Sequence, residues 1–141
     1  MGKHKAAAND ACPCGGGKYA TCCEPYHRGA VAENAEKLMR ARYSAFVKGE
    51  LEFVHRTWDE RTRPSLADLQ RDDDGKWLGL EVRRHEVQQG PQQGSQLDRA
   101  KVEFIARYKV EGRAQRLHEI SRFVREQGQW FYVDGSFPER K

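Results

Sequence analysis

Hydrophobic residues fall at three- and four-residue steps between positions 34 and 49. Ala35, Leu38, Met39 and Phe46 share one stripe, a spacing that predicts a helix with Asn34 as its N-cap and Gly49 as its stop. Arg42 occupies the same stripe where a leucine would be expected. Two readings follow: a packing stem whose guanidinium reaches a carboxylate or carbonyl, or a charge aimed into a cavity. A shorter helix is predicted from Glu50 to Trp58, with Leu51, Val54 and Trp58 on one side, and a third over Leu66–Gln70 capped by Ser65. Residues 71–75 read as an acidic turn, because the three aspartates lack the spaced ligands and distant glutamate of a calcium loop.

From Trp77 the period changes to two. The first strand is predicted from Trp77 to Val87, followed by a Gln/Gly-rich loop over 88–96. Val102, Phe104, Ala106, Tyr108 and Val110 then alternate with Glu103, Ile105, Arg107 and Lys109 as a half-buried strand. Arg116–Glu126 returns with Leu117, Glu119, Ser121 and Phe123 on one face and His118, Ile120, Arg122 and Val124 on the other. Gln127-Gly128 turns tightly into a last strand over Gln129–Asp134. Helices followed by a four-stranded antiparallel meander predict an α+β architecture in which a curved sheet wraps the long helix and leaves a pocket between them.

No such period describes the segment before the helices. All four cysteines fall within Cys12–Cys23, among three glycines and beside Pro13 and Pro25, a composition unsuited to a packed helix or strand. Thiolates are the soft ligands zinc prefers, and a tetrahedral site takes four of them, or three and an imidazole. Spacing leaves two ligand sets open: Cys12, Cys14, Cys22 and Cys23, or three cysteines completed by His27. Either set closes the coordination shell, which predicts one structural Zn2+ and argues against catalysis by the metal.

Charge and length set the remaining bounds. At 141 residues, 38% of them hydrophobic, the chain holds one core but not two full domains. The net charge of +4 is thinly spread: Lys3, Lys5, Lys18 and Arg28 against Asp10 and Glu24 give residues 1–31 a net +2, and the other 21 basic and 19 acidic residues give the same. Nucleic acid is therefore a weak expectation, carried by Tyr19, Tyr26 and nearby basic residues. The first nine residues predict neither a secretory signal nor an anchor, and no stretch approaches a membrane span, so a cytoplasmic, reducing location is expected, favouring metal over disulfide. The organisation read from these patterns is an arm over 1–11, a knuckle over 12–31, an α+β domain over 32–137 and a tail over 138–141.

Cys12-Pro13-Cys14-Gly15-Gly16-Gly17-Lys18-Tyr19-Ala20-Thr21-Cys22-Cys23 resembles the SEC-C knuckle found at the end of the SecA translocation ATPase. Together with Leu38–Phe46, Trp77–Leu80, Glu119–Phe123 and Gly128–Gly135, the chain is similar to the YchJ family of uncharacterised bacterial proteins. The resemblance implies a nuclear-transport-factor-2-like, cystatin-like roll after a zinc knuckle. The motif departs from its usual form where Lys18 runs directly into Tyr19, one position short. Counting back from Tyr19 gives Cys22 and Cys23 as the last ligands, and counting forward from Cys14 brings in His27.

Two functions of different class follow. The SecA knuckle is associated with the SecB chaperone and the ribosome, so the resemblance implies a protein or ribosomal partner met through the knuckle. The alternative is a small-molecule binder or enzyme using the roll, with Arg42, Trp58, Tyr108, His118 and Glu119 as candidate pocket residues. Because His118 and Glu119 must face opposite sides of their strand, no acid/base pair is evident and an enzyme is the lesser expectation. The knuckle itself is expected as a structural site appended to a self-sufficient core.

Overall fold

Glycines and prolines leave the cysteine segment only a single 3-10 turn, Tyr19–Thr21, and one turn of helix, α1 (Glu24–His27). The structure, a computed structural model, describes residues 10–71, 76–88 and 98–138. The aspartates of the expected acidic turn, most of the Gln/Gly-rich loop, the basic residues Lys3 and Lys5 and the last three residues of the tail lie outside these. Ala11 bridges to Lys18, and the Tyr19 amide donates to the Asp10 carbonyl at 2.8 Å, so the knuckle's hydrogen bonds begin at Asp10.

The long helix α2 spans Ala35–Lys48. Its ends are those the sequence predicts: the Asn34 side chain accepts from the Lys37 amide, and Gly49 closes the helix in the left-handed conformation at φ 76°. Asn34→Ala should cost about 1 kcal/mol, measurable as a shift in urea midpoint with an unchanged slope.

Helix α3 (Leu51–Arg56) ends two residues before the predicted Trp58. Thr57 Oγ1 donates back to the Phe53 carbonyl at 2.7 Å, and the backbone then pairs with the last strand through Tyr132 N to Thr57 O and Asp59 N to Tyr132 O. Trp58 thus lies beside the sheet, bridged to Tyr132. Helix α4 covers Leu66–Arg71, its first turn held by Ser65 Oγ accepting from the Asp68 amide.

Strands β1 (Lys76–Gln88), β2 (Asp98–Val110), β3 (Arg113–Glu126) and β4 (Gln129–Ser136) form one antiparallel sheet in the order β1-β2-β3-β4. The β2–β3 hairpin is tighter than predicted. Glu111 and Gly112 both have positive φ, 52° and 79°, and Gln127-Gly128 repeats the pair at 52° and 80°. These are the two-residue turns whose twist matches the strands they join, so β3 starts at Arg113 rather than Arg116. Register breaks at Trp77/Gly79, Val82/Arg84 and Arg122/Phe123 bend the sheet around α2.

The inner face carries Val102, Phe104, Ala106, Phe123 and Trp130 against Leu38, Met39 and Ala45 of α2. The same buried cluster continues through Cys12, Cys14, Tyr19 and Cys23. The knuckle expected as an appended site therefore shares one continuous hydrophobic layer with the roll, on the other side of α2.

Candidate metal centre and roll cavity

Tight turns aim the cysteines at one point. The Cys12 amide donates to Gly17 O at 2.7 Å, the Gly15 amide to Cys12 O at 3.0 Å, and Gly15 and Gly17 take φ of 85° and 124°, which side chains disfavour. Gly16 is required for a different reason: a Cβ there would lie 3.0 Å from Cys22 Sγ and 3.3 Å from Cys14 Sγ. The four sulfurs of Cys12, Cys14, Cys22 and Cys23 lie within 4.8 Å of one another. Cys14 Sγ is 3.6 Å from Cys22 Sγ and 3.7 Å from Cys23 Sγ, and the last two are 4.0 Å apart. A tetrahedron with metal–sulfur bonds of about 2.3 Å has edges of about 3.8 Å, so the spacing fits such a site.

The charge balance points the same way. Hydrogen bonds from Cys14 and Cys23 hold the Cys12 thiol far below its ordinary value. The Cys23 thiol is raised by its hydrogen bonds to Cys12 and Cys14 and by burial, and burial pushes Cys22 up to about 12. A divalent cation at the centre of four such thiols would favour their thiolate forms.

Helix α2 supplies the supports. Ser44 Oγ, fully buried, is 3.4 Å from Cys12 Sγ, and Arg40 Nη1 donates to Cys14 O at 3.1 Å while its Nε holds Glu36. Ser44→Ala should weaken metal retention about tenfold or more, read as faster transfer to a chromophoric chelator, with α2 preserved because alanine favours helix.

His27 stands outside the sulfur cluster. Its Nδ1 is 2.6 Å from Tyr19 Oη and its Nε2 is 2.8 Å from the Ala41 carbonyl, which fixes Nε2–H as donor and Nδ1 as acceptor. Burial lowers its pKa, and the ring packs on Phe53 at 4.8 Å between centroids, so it fastens the knuckle to α2 and α3. Tyr19, considered above as a base-stacking residue, is 2% exposed, with Lys48 lying over its ring; Tyr26 Oη donates to Glu33.

A second site lies between α2 and the sheet. Arg42 and Trp58 line a cavity of about 230 Å3 together with Tyr43, Trp77, Glu119 and Tyr132. Both readings of Arg42 hold at once: Nη1 donates to Val54 O and Thr57 Oγ1, each at 2.8 Å, while the guanidinium carbon lies 4.5 Å from the Tyr132 ring centre and 5.0 Å from that of Trp58. Burial pulls its pKa down to about 10, which leaves it a cation at neutral pH. Glu119 Oε2 accepts from Ser121 Oγ at 2.8 Å and Tyr132 Oη at 2.9 Å, and burial, reinforced by the Glu119 charge, raises the Tyr132 phenol.

The other candidate pocket residues lie elsewhere. Tyr108 packs its ring on Trp77 at 5.5 Å without lining the cavity, and His118 is on the outer face, 2.7 Å from Glu103. Alternation along β3 shows that only one of His118 and Glu119 faces inward but not which one; the helix layer selects Glu119. Tyr132 and Ser121 carry no signal of their own in the sequence, because both read as ordinary strand residues.

Comparison with known proteins places these features. Residues 34–135 match the family model described as YchJ, middle NTF2-like domain, and the four cysteines precede that match. A UPF0225 protein of Ralstonia nicotianae is 50% identical, the alignment covering 92% of each chain. One from Chromobacterium violaceum is 47% identical over 94% of this chain and 97% of its own. A SEC-C motif containing protein from Rhodopseudomonas palustris, solved in solution, superposes with a TM-score of 0.76 at 33% identity, covering 90% of this chain and 98% of that one. The crystal structure of another from Psychrobacter arcticus gives 0.72 at 28% identity, covering 95% and 86%.

Proposed function

Because this chain belongs to the YchJ family of UPF0225 proteins, and its cysteines converge beside that family's roll, we propose that it is a zinc-carrying binding protein. Cys12, Cys14, Cys22 and Cys23 hold one Zn2+, and recognition rather than metal catalysis is its task. The observation that carries this reading is the four-sulfur cluster: Cys14, Cys22 and Cys23 stand at 3.6, 3.7 and 4.0 Å from one another, spacings that suit zinc, Cys12 lies within 4.8 Å of each, and four thiolates leave no position for water or substrate. Zinc there neutralises the clustered thiolates and ties the two arms of the knuckle together. Metal analysis of the purified protein tests the assignment, with one zinc per chain expected; a different metal or none overturns it.

The exposed rim of the knuckle, Gly15–Lys18 and Thr21, is the surface offered to a protein or ribosomal partner. Paired Lys18→Glu and Thr21→Glu substitutions leave the sulfurs untouched, so co-sedimentation with purified ribosomes should fall while zinc content holds. Equal sedimentation of wild type and variant would sink the ribosomal reading. A second reading, small-molecule binding in the roll, is favoured by one observation: the cavity between α2 and the sheet buries both an arginine and a glutamate without pairing them.

A further inference from the structure

We propose that the roll cavity binds a small, uncharged, planar aromatic molecule carrying a carbonyl next to an N–H, in chemical class an aromatic carboxamide or lactam. This rests on the second reading above and names its ligand. The walls set the body of the molecule. Tyr43, Phe46, Trp58, Trp77, Phe104 and Phe123 present ring faces and edges around about 230 Å3, at the small end for a ligand site, so a single ring system is the appropriate size.

The polar groups set its functional group. Arg42 is 5% exposed, and of its guanidinium only Nη1 is hydrogen-bonded among the described residues. Trp58 Nε1, on the ring that lies 5.0 Å from the Arg42 guanidinium carbon, is buried with no acceptor. The buried Trp58 donor calls for an acceptor on the occupant, and the rest of the Arg42 guanidinium is open to one. Glu119, 7% exposed, takes both of its hydroxyl donors on Oε2, and Oε1 has no partner among the described residues. That oxygen is open to a donor on the occupant. Arg42 and Glu119 do not form an ion pair; the Tyr132 ring lies under the first and its hydroxyl bonds the second. A carbonyl facing Arg42 and an N–H facing Glu119 would span this arrangement.

The overall charge of the ligand follows from the same pair. One cation and one carboxylate already balance within the cavity, so an anionic or cationic ligand would leave an uncompensated buried charge. A purely apolar ligand would leave the donors unmet. A neutral molecule with both functions meets Arg42 and Glu119 and leaves their charge balance undisturbed.

Four probes built on one benzene ring separate the outcomes: benzamide, benzoate and benzamidine, which share a shape, and toluene, which lacks the polar group, titrated into the full zinc-loaded chain and followed by fluorescence of the cavity tryptophans and by amide NMR shifts. Benzamide should bind about tenfold or more tighter than the other three. Glu119→Gln should shift the preference toward benzoate, since Arg42 would then lack its counter-charge, a reversal that a merely structural glutamate would not produce. Leu117→Trp, at a half-buried lining position, should block all four probes while the fold stays intact. If benzoate or benzamidine binds best, or toluene binds equally well, the ligand class is overturned and the cavity reading stands. If none of the four shifts a resonance of a folded chain, the cavity reading falls as well.

Discussion

With zinc held as proposed, Cys14→Ser should strip the metal from the whole chain, not merely weaken its binding. Cys14 is 1% exposed, and its sulfur sits 3.6 Å from Cys22 and 3.7 Å from Cys23, so a shorter, harder hydroxyl at that corner satisfies neither the ion nor the neighbouring thiols. Structural zinc in small knuckles contributes about 10–16 kcal/mol of apparent binding free energy. Losing even a quarter of that would lower the melting midpoint of a chain this size by about 10 °C. The damage should also spread beyond the knuckle, because Cys12, Cys14, Tyr19 and Cys23 share a buried cluster with α2 and the sheet. Thermal melts of wild type with and without a strong chelator, beside Cys14→Ser, check this: chelator and substitution should lower the midpoint alike. A chelator-treated wild type that melts unchanged would remove the metal from the explanation of the fold.

Gly135→Ala is expected to be nearly as disruptive, from a single methyl. Gly135 pairs with Ser121 across β3 and β4, and a Cβ there would sit 2.7 Å from Glu119 Cγ and closer still to its carboxylate. Its backbone is not in the left-handed region, so the nearest obstacle is the Glu119 side chain. That side chain cannot swing clear without leaving Ser121 and Tyr132. Overpacking of this kind costs about 1–3 kcal/mol, and breaking the buried hydrogen bonds adds to it. In a Glu119→Ala background the same substitution should cost far less, and this non-additivity, measured by denaturant unfolding of the four proteins of the cycle, is the diagnostic. Equal costs in both backgrounds would mean that the glycine is needed for some other reason.

Local patterns are legible in the sequence because local physics decides them. Asn34 and Gly49 mark the ends of α2, alternation from Val102 to Val110 marks a strand, and Gln127-Gly128 marks a hairpin. The four cysteines read as one cluster because twelve residues of chain rich in glycine have few other ways to place their thiols. What spacing leaves open is settled by packing between distant segments. His27 has the spacing of a fourth ligand, but its ring nitrogens are taken up by Tyr19 and by Ala41 of α2. Trp58 reads as the end of a helix, but its backbone pairs with Tyr132, more than seventy residues away. The cavity network combines Arg42 of α2, Glu119 and Ser121 of β3 and Tyr132 of β4, and no single stretch of sequence contains that meeting.

The shared core has a consequence for how such a protein can be rearranged. A knuckle that folded on its own could be moved between proteins as a cassette, and a roll that folded on its own could lose it. Here the two halves share one buried cluster: without residues 10–31, α2 would present Ala41 and Ser44 and α3 the edge of Phe53 to water, and without α2 the knuckle would lose the partners of Cys12, Cys14 and His27. Gene fusions and truncations that cut near position 31 should therefore yield insoluble halves.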